Sequence, residues 1–187
     1  KALHQRLKTT VVYVTHDQVE AMTLGDRIAV MKDGSVQQFG TPQDIYERPA
    51  NLYVASFMGS PSMSLLPVTL RNVSGRLTTQ LQTASGPCDI DLGPGQAGLD
   101  GRVVTLGIRA EHFSPAPADA AGAFQIRVDL IEPTGADTFA YTEINQTRVA
   151  VRLPPKPVRS VGDTCRVTLD AAALSLFDPG TGLRLAY

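Results

Sequence analysis

His16 is the residue whose type and position first suggest chemistry. It directly follows residues 10–15, where the unbroken run VVYV is typical of a strand buried on both faces of a parallel sheet. Ligands of open α/β sheets bind beyond the carboxyl ends of the strands, and a neutral imidazole can donate a hydrogen bond to a phosphate oxygen. These residues make His16 a candidate phosphate contact, with a surface histidine at a strand end as the alternative interpretation.

Asp17 and Glu20 stand next to this histidine and invite a catalytic interpretation, but their spacing is that of a helix cap. Asp17 can serve as the N-cap, and Glu20 three residues later completes an Asp-x-x-Glu version of the capping box. A further carboxylate would also repel a triphosphate unless Mg²⁺ lay between them. We therefore predict a helix that turns Val19 and Met22 inward and ends at Gly25.

The other candidate metal-binding residues are isolated from one another. His112 has no His, Cys or Asp at ligand spacing, so a structural hydrogen bond is favoured over a metal site. The only two cysteines, Cys88 and Cys165, have no metal-ligand spacing, and so sparse a pair fits a reducing compartment better than a disulfide framework. The sequence therefore predicts no metal site in this chain.

The composition is that of a folded globular protein. Among 187 residues, 43% are hydrophobic and 19% are charged, a balance that argues against disorder. The formal net charge is −1, so no global field attracts the chain to nucleic acid or acidic lipid. No apolar run approaches the roughly 20 residues that a membrane-spanning helix needs.

Residues 1–58 have the pattern of an α/β fold. The strand and helix around the candidate histidine are followed by a predicted hairpin, whose two apolar strands meet at Asp33-Gly34. Two helices come next, one capped by Thr41 and one over residues 51–58. Residues 1–7 match the end of an amphipathic helix, so we expect the chain to begin inside a longer protein.

The pattern changes at Gly59, where helical spacing gives way to alternation of apolar and polar residues. Such alternation is typical of strands that bury one face. The segments predicted as strands are residues 65–71, 76–82, 103–108, 125–130, 139–144, 148–153 and 165–169. Many short strands separated by Gly and Pro predict a small barrel or sandwich, with residues 114–123 as an exposed loop.

Six segments together resemble the ATP-binding subunits of ABC importers. Residues 14–22, VTHDQVEAM, resemble the switch-histidine region of these ATPases in the branch that includes the maltose and glycerol-phosphate transporters. The resemblance continues through DRIAVM at residues 26–31, GTPQDIYERP at 40–49, FMGSPSM at 57–63, GIRAEH at 107–112 and FDPGTG at 177–182. Ser64 and Ala110 stand where the family usually has Asn and Pro.

This resemblance implies a fold and a role for each part of the chain. Residues 1–58 would be the α/β remnant of an ABC ATPase domain, and residues 59–187 an all-β, OB-like regulatory (TOBE) domain. His16 would contact the γ-phosphate of ATP and the attacking water in the full-length subunit, which uses ATP and Mg²⁺. The subunit would energise import of a solute such as a carbohydrate, at the cytoplasmic face of the plasma membrane.

The motifs that bind nucleotide are missing from this sequence. It contains no P-loop of the form Gly-x4-Gly-Lys-Ser/Thr, no Leu-Ser-Gly-Gly-Gln signature and no strand that ends in an Asp-Glu pair. In family members these motifs precede the switch histidine. We therefore expect the chain alone to hold neither ATP nor Mg²⁺ and to be inactive, as a regulatory and dimerisation module.

The resemblance also implies partners, and two other functions stay open. The regulatory domains would form a homodimer, the full-length subunit would bind the transporter membrane subunits, and a regulatory protein or small effector would bind the β domain. Alternatively, the β domain binds an oxyanion or sugar itself, with Arg71, Arg76 and Arg109 as candidates if they line one cavity. Nucleic-acid binding is disfavoured, because aromatic residues are only 6% and the net charge is −1.

Overall fold

The computed structural model describes residues 9–95, 98–117, 119–155 and 160–186. The helix end predicted at residues 1–7 lies outside these ranges. Over the described residues, every helix is too short or too polar to cross a membrane.

Residues 9–17 lead into the fold without forming a strand, which corrects the strand predicted at residues 10–15. The side chains of Val12 and Val14 are 87% and 88% exposed. A β-branched run becomes a buried strand only when neighbouring strands pair with it. No strand in the described part of the chain pairs with this segment.

The first helix, α1 (Gln18–Leu24), begins and ends where the sequence predicts. It ends at Gly25, whose N–H donates to the carbonyl of Ala21. Met22 packs against a small apolar cluster, as expected. Val19 is 70% exposed, so its predicted inward position is wrong.

A two-stranded antiparallel hairpin follows α1. It is formed by β1 (Ile28–Lys32) and β2 (Ser35–Gly40). Asp33 and Gly34 connect the strands with φ angles of 48° and 79°. Asp and Gly tolerate such left-handed angles better than other residues, which is why this pair predicts the turn.

Two short helices complete the first part of the chain. Thr41 caps α2 (Pro42–Glu47), which has a proline at its start, and Asn51 caps α3 (Leu52–Phe57). Both caps satisfy a backbone N–H that would otherwise lack a partner at the helix start.

The chain after residue 63 is almost entirely β, as predicted. Over the described residues its strands are β3 (Ser64–Val73), β4 (Arg76–Thr83), β5 (Gly86–Pro94), β6 (Val103–Ile108), β7 (Phe113–Pro115), β8 (Phe124–Arg127), β9 (Leu130–Pro133), β10 (Thr138–Ile144), β11 (Thr147–Leu153), β12 (Thr164–Leu169), β13 (Ser175–Phe177) and β14 (Arg184–Leu185). They form one six-stranded sheet in the order β14-β13-β6-β3-β4-β5 and two three-stranded sheets, β11-β10-β9 and β7-β12-β8. All strand pairs are antiparallel.

One hydrophobic core joins the three sheets. Leu66 and Leu106 enter it from the six-stranded sheet, and Ile126 and Val151 enter it from the two smaller sheets. All four side chains are at most 1% exposed. This core is the β domain's main source of stability, because apolar burial is the dominant favourable term in folding.

The strand predicted at residues 125–130 is in fact divided between two sheets. β8 ends at Arg127 and β9 starts at Leu130, and the intervening Val128 donates its N–H to the carbonyl of Asp163. Leu130 is therefore 38% exposed although its place in the alternation predicts burial.

The helices α2 and α3 pack directly against the β domain. Ala55 of α3 shares a buried cluster with Met63 and Phe177. The N–H of Leu52 donates to the carbonyl of Gly182 at 2.9 Å. The two parts of the chain are thus connected by both apolar and polar contacts.

Candidate functional site

His16 lies in the turn before α1 and is exposed. The next residue, Asp17, is the N-cap of the helix, as predicted. Its Oδ1 accepts hydrogen bonds from the N–H groups of Val19 at 2.7 Å and Glu20 at 3.1 Å. The cap fixes the backbone next to the histidine and leaves the imidazole free to contact a ligand.

Glu20 has a different role from the one predicted for it in a capping box. Its Oε2 accepts hydrogen bonds from the hydroxyls of Thr15 at 2.8 Å and Tyr13 at 3.0 Å. The N–H of Asp17 donates to Thr15 Oγ1 at 3.0 Å and not to Glu20. The hydrogen bond to Glu20 raises the pKa of Tyr13. Glu20 therefore attaches the segment before His16 to α1.

Gln18, two residues after His16, binds the backbone at the end of α3 with both ends of its amide. Its Nε2 donates to the carbonyl of Phe57 at 2.5 Å, and its Oε1 accepts the N–H of Gly59 at 2.8 Å. The amide group thus satisfies one acceptor and one donor on either side of Met58. The pair of bonds holds the start of α1 against the end of α3.

Arg109 reaches the same backbone from the β domain. It is 2% exposed, and its Nη1 donates to the carbonyl of Met58 at 2.7 Å. Its Nη2 and Nε donate to the carbonyl of Tyr46 at 2.6 Å and 3.2 Å. The guanidinium carbon also lies 3.7 Å from the centroid of the Tyr46 ring. Burial lowers the pKa of Arg109.

These two carbonyls lie at the C-terminal ends of α2 and α3, where backbone acceptors lack partners within the helix. The N–H of Ala50, which would continue the hydrogen bonds of α2, donates to Gln38 Oε1 instead. Arg109 therefore satisfies the open ends of two helices at once. Its charge also complements the negative end of the helix dipoles.

The Tyr46 hydroxyl extends this cluster to the surface. It donates to Glu111 Oε1 at 2.6 Å. Burial, followed by this hydrogen bond, raises the pKa of Tyr46 to about 12. The phenol therefore keeps its proton at neutral pH and remains a donor to Glu111.

His112 makes the structural hydrogen bond that its isolation in the sequence favours. Its Nδ1 accepts the N–H of Arg109 at 3.2 Å, and its carbonyl accepts the N–H of Asp170 at 2.9 Å. Burial lowers the pKa of His112, which favours the neutral ring that this contact requires. Cys88 and Cys165 are free, and burial raises the pKa of both thiols. Within the described ranges, no three His, Cys, Asp or Glu side chains form a group that could hold a metal ion.

The three arginines considered for direct ligand binding do not line one cavity. An open cleft of about 400 Å³ on the β domain has a mixed polar and apolar lining, in which Arg71 is the one arginine among the described residues. Arg76 instead pairs with Asp91 at 2.5 Å. Arg109 is buried against α2 and α3, as described above. The condition for a direct arginine-lined binding site is therefore not met.

Gln18 and the buried role of Arg109 are the features that sequence reasoning missed. The sequence signal that could have indicated them is Gly59, at the boundary between the two parts of the chain. Gly59 has a φ angle of 117°, and a Cβ placed there would lie 2.8 Å from Arg109 Nη1. The glycine thus permits both the backbone conformation and the close approach of the guanidinium.

Most of the β domain matches two known protein families. Residues 59–113 match the family described as the MalK OB fold domain, and residues 106–177 match the TOBE domain family. A solved structure of the cytoplasmic molybdate-binding protein ModG covers 62% of this chain and 95% of its own at 12% identity and a TM-score of 0.41. That similarity is too low to bear on the ligand of this chain.

Relatives match along the whole chain. It is 44% identical over 186 residues to the sn-glycerol-3-phosphate import ATP-binding protein UgpC of Ralstonia nicotianae. This alignment covers 99% of this chain and 51% of the relative. It is also 44% identical over 187 residues to the uncharacterized ABC transporter ATP-binding protein y4oS of Sinorhizobium fredii. That alignment covers 100% of this chain and 48% of the relative. The chain spans about half the length of the relatives it matches. We therefore identify it as a homologue of the C-terminal part of ABC importer ATP-binding proteins, with a MalK-type OB fold and a TOBE domain.

Proposed function

We propose that this chain belongs to an ATP-hydrolysing subunit that energises an ABC importer for a carbohydrate or a phosphorylated polyol. In this proposal residues 1–58 end the nucleotide-binding domain and residues 59–187 form the regulatory domain. The observation that carries it is the exposed His16 at the start of a capped helix, in a chain 44% identical to an importer ATP-binding protein.

Exposed apolar side chains support the assignment of residues 1–58 to a larger α/β domain. Val12 and Val14 are 87% and 88% exposed, and Val36 and Phe39 of the hairpin are 57% and 59% exposed. Clusters of exposed apolar residues commonly mark surfaces that another part of an assembly covers. We infer that strands from the rest of the subunit cover them and complete a strand at residues 10–15.

His16 is proposed as the switch histidine that contacts the γ-phosphate of ATP. When bound to the full-length subunit, ATP would supply the phosphoanhydride bond whose hydrolysis drives transport, and Mg²⁺ would neutralise charge on its phosphates. The imidazole would donate a hydrogen bond to a phosphate oxygen, while Asp17 and Glu20 hold the backbone on either side of it. Nucleotide affinity would come from the P-loop, which this sequence does not contain.

The proposed partners follow from the same role. Two regulatory domains would pair as a homodimer, and the subunit would bind the membrane subunits at the inner face of the plasma membrane. A regulatory protein or small effector would act on the β domain. The cleft near Arg71 does not favour direct sugar or oxyanion binding by an arginine cluster, since Arg76 and Arg109 lie elsewhere.

Replacing His16 tests the proposal. In the full-length subunit assembled with its membrane partners, we expect His16→Ala to lower ATP hydrolysis by at least about 100-fold, the scale of losing one transition-state donor. ATP binding should change by less than about threefold, because the P-loop provides the phosphate contacts. Hydrolysis and equilibrium nucleotide binding are measured on the same preparation.

Two controls accompany this measurement. His112→Asn should retain hydrolysis, because its ring makes only a structural hydrogen bond. Calorimetry of the 187-residue chain with Mg-ATP should show no saturable heat. Near-normal hydrolysis by His16→Ala would contradict the switch role, and a micromolar affinity of the chain alone, about −8 kcal/mol, would contradict its expected inactivity.

A further inference from the structure

We propose that Gln18 and Arg109 are positioning residues that connect the His16 segment to the β domain through the backbone of residues 57–59. The inference rests on the proposed function of His16 and extends it, because it identifies how the regulatory domain affects that residue. Neither side chain would touch nucleotide.

The two residues bind consecutive groups of one backbone segment. Gln18 takes the carbonyl of Phe57 and the N–H of Gly59, and Arg109 takes the carbonyl of Met58 that lies between them. The two side chains therefore bind the carbonyls of Phe57 and Met58 and the N–H of Gly59, while the N–H of Met58 closes α3 by donating to the carbonyl of Val54. A shift of the β domain that moves Arg109 must move this segment or break a hydrogen bond.

The connection is short and stiff on both sides. Gln18 is separated from His16 by Asp17 alone, and Asp17 is fixed as the helix cap. Met58 is 2% exposed and packs in the small apolar cluster beside α2 and α3, so its backbone cannot yield easily. Packed elements of this kind transmit displacements because they are not continuously deformable.

The bonding of Arg109 suits a mechanical role better than an electrostatic one. Its guanidinium donates to the carbonyls of Tyr46 and Met58, and these are backbone groups at helix ends. A planar fork serves both carbonyls from one buried position with separate nitrogens, a geometry that the single nitrogen of a lysine ammonium does not reproduce. Gly59 leaves the space that the fork occupies, since a Cβ there would lie 2.8 Å from Nη1.

Hydrogen exchange of the 187-residue chain tests the connection without nucleotide. We expect Arg109→Met to speed exchange in α1 and at the Gly59 N–H by about three- to tenfold, the factor for losing roughly one hydrogen bond. Arg109 touches no residue of α1 in these contacts, so the effect must reach α1 through the backbone of residues 57–59 or through α2, whose Tyr46 carbonyl Arg109 also binds. Conversely, Gln18→Leu should speed exchange of the His112 N–H, which donates to the carbonyl of Arg109.

Matched variants separate the connection from general destabilisation. Arg102→Met breaks an ion pair with Asp178 elsewhere in the β domain and should leave exchange in α1 unchanged. Gln43→Leu removes an exposed helical glutamine that bonds Glu47 and should also leave α1 unchanged. If Arg109→Met fails to fold, Arg109→Lys keeps the charge, loses the planar fork and carries the same expectation.

Hydrolysis by the assembled full-length subunit provides the functional result. Gln18→Leu and Arg109→Lys should each lower kcat about three- to tenfold, with the KM for ATP unchanged, because they misplace His16 without affecting nucleotide binding. Unchanged α1 exchange in both Arg109 variants, or unchanged kcat in both Gln18→Leu and Arg109→Lys, would overturn the inference. If His16→Ala retains hydrolysis while the exchange effects persist, the proposed function fails and the physical connection remains.

Discussion

The two histidines in the described part of the chain differ in burial, and burial gives them different chemistry. His16 is exposed beside a helix cap, whereas His112 is buried and accepts a hydrogen bond from the N–H of Arg109. A protonated His112 could not accept that bond, because both of its ring nitrogens would be donors. The fold therefore requires the neutral form of His112.

Acid should consequently destabilise the protein through His112. Burial lowers the folded-state pKa of this histidine, while its unfolded-state pKa is about 6.5. As the pH falls below about 6.5, the unfolded chain takes up the proton first, so stability is lost until the folded pKa is reached. Urea unfolding midpoints measured between pH 7.5 and pH 5 should therefore fall, with the pH window set by the two pKa values.

The matched variant for this effect is His112→Asn. Its Oδ1 can accept the Arg109 N–H in place of Nδ1 but does not titrate, so its midpoint should fall less over the same pH range. His16→Gln removes an exposed imidazole and provides the second control. Parallel pH profiles for wild type and His112→Asn would show that another group causes the acid loss.

Among the elements, the turn between β10 and β11 joins the smaller sheet to the six-stranded one. Asn145 and Gln146 form it with φ angles of 49° and 59°. Asn145 Nδ2 donates to the carbonyl of Pro67 at 3.0 Å, and its Oδ1 accepts the N–H of Gln82 at 2.7 Å. The side chain thus bridges β3 and β4 as well as forming the turn.

Replacing this asparagine should weaken the contact between the sheets. Asn145→Gly tolerates the positive φ but loses both side-chain hydrogen bonds, so we expect a loss of about 1–3 kcal/mol in the free energy of unfolding. Gln146→Gly keeps the turn and relieves a left-handed residue, so it should be within about 0.5 kcal/mol of wild type or more stable. Equal stability of the two variants in urea titrations would contradict the bridging role.

Several elements were predictable because their signals are local. The Asp33-Gly34 turn and the Asp17 and Thr41 caps depend on a few neighbouring residues, and they occur where predicted. By contrast, β5 was not predicted, because Pro87 and alternating aspartates are poor strand formers. An edge strand tolerates such residues, and edge position depends on the assembled sheet.

Prediction of the candidate site from the sequence is likewise limited to its local features. The motif around His16 and the cap at Asp17 can be identified from the sequence, but the contact between Gln18 and Gly59 joins residues 41 positions apart. The strand predicted at residues 10–15 does not form, because no strand among the described residues pairs with this segment.

For the whole molecule, we expect weak and reversible self-association. The β domain presents charges of both signs, such as the exposed Arg152–Asp137 pair at 3.4 Å, which suits a polar contact better than an obligate apolar one. Sedimentation equilibrium of the 187-residue chain should show dimers at concentrations on the order of millimolar and fewer dimers at high salt. A strict monomer throughout that range would remove the proposed pairing through β domains.

The edges of the six-stranded sheet determine how copies of this chain can meet. At one edge, β5 contains Pro87, which has no N–H to donate, and the short 3-10 helix Ala171–Ala173 lies against this strand. At the other edge, β14 is only two residues long. Open strand edges are what allow sheets of separate molecules to fuse into continuous ribbons. Crowded copies of this protein should therefore resist polymerisation, and any pairs they form should separate on dilution.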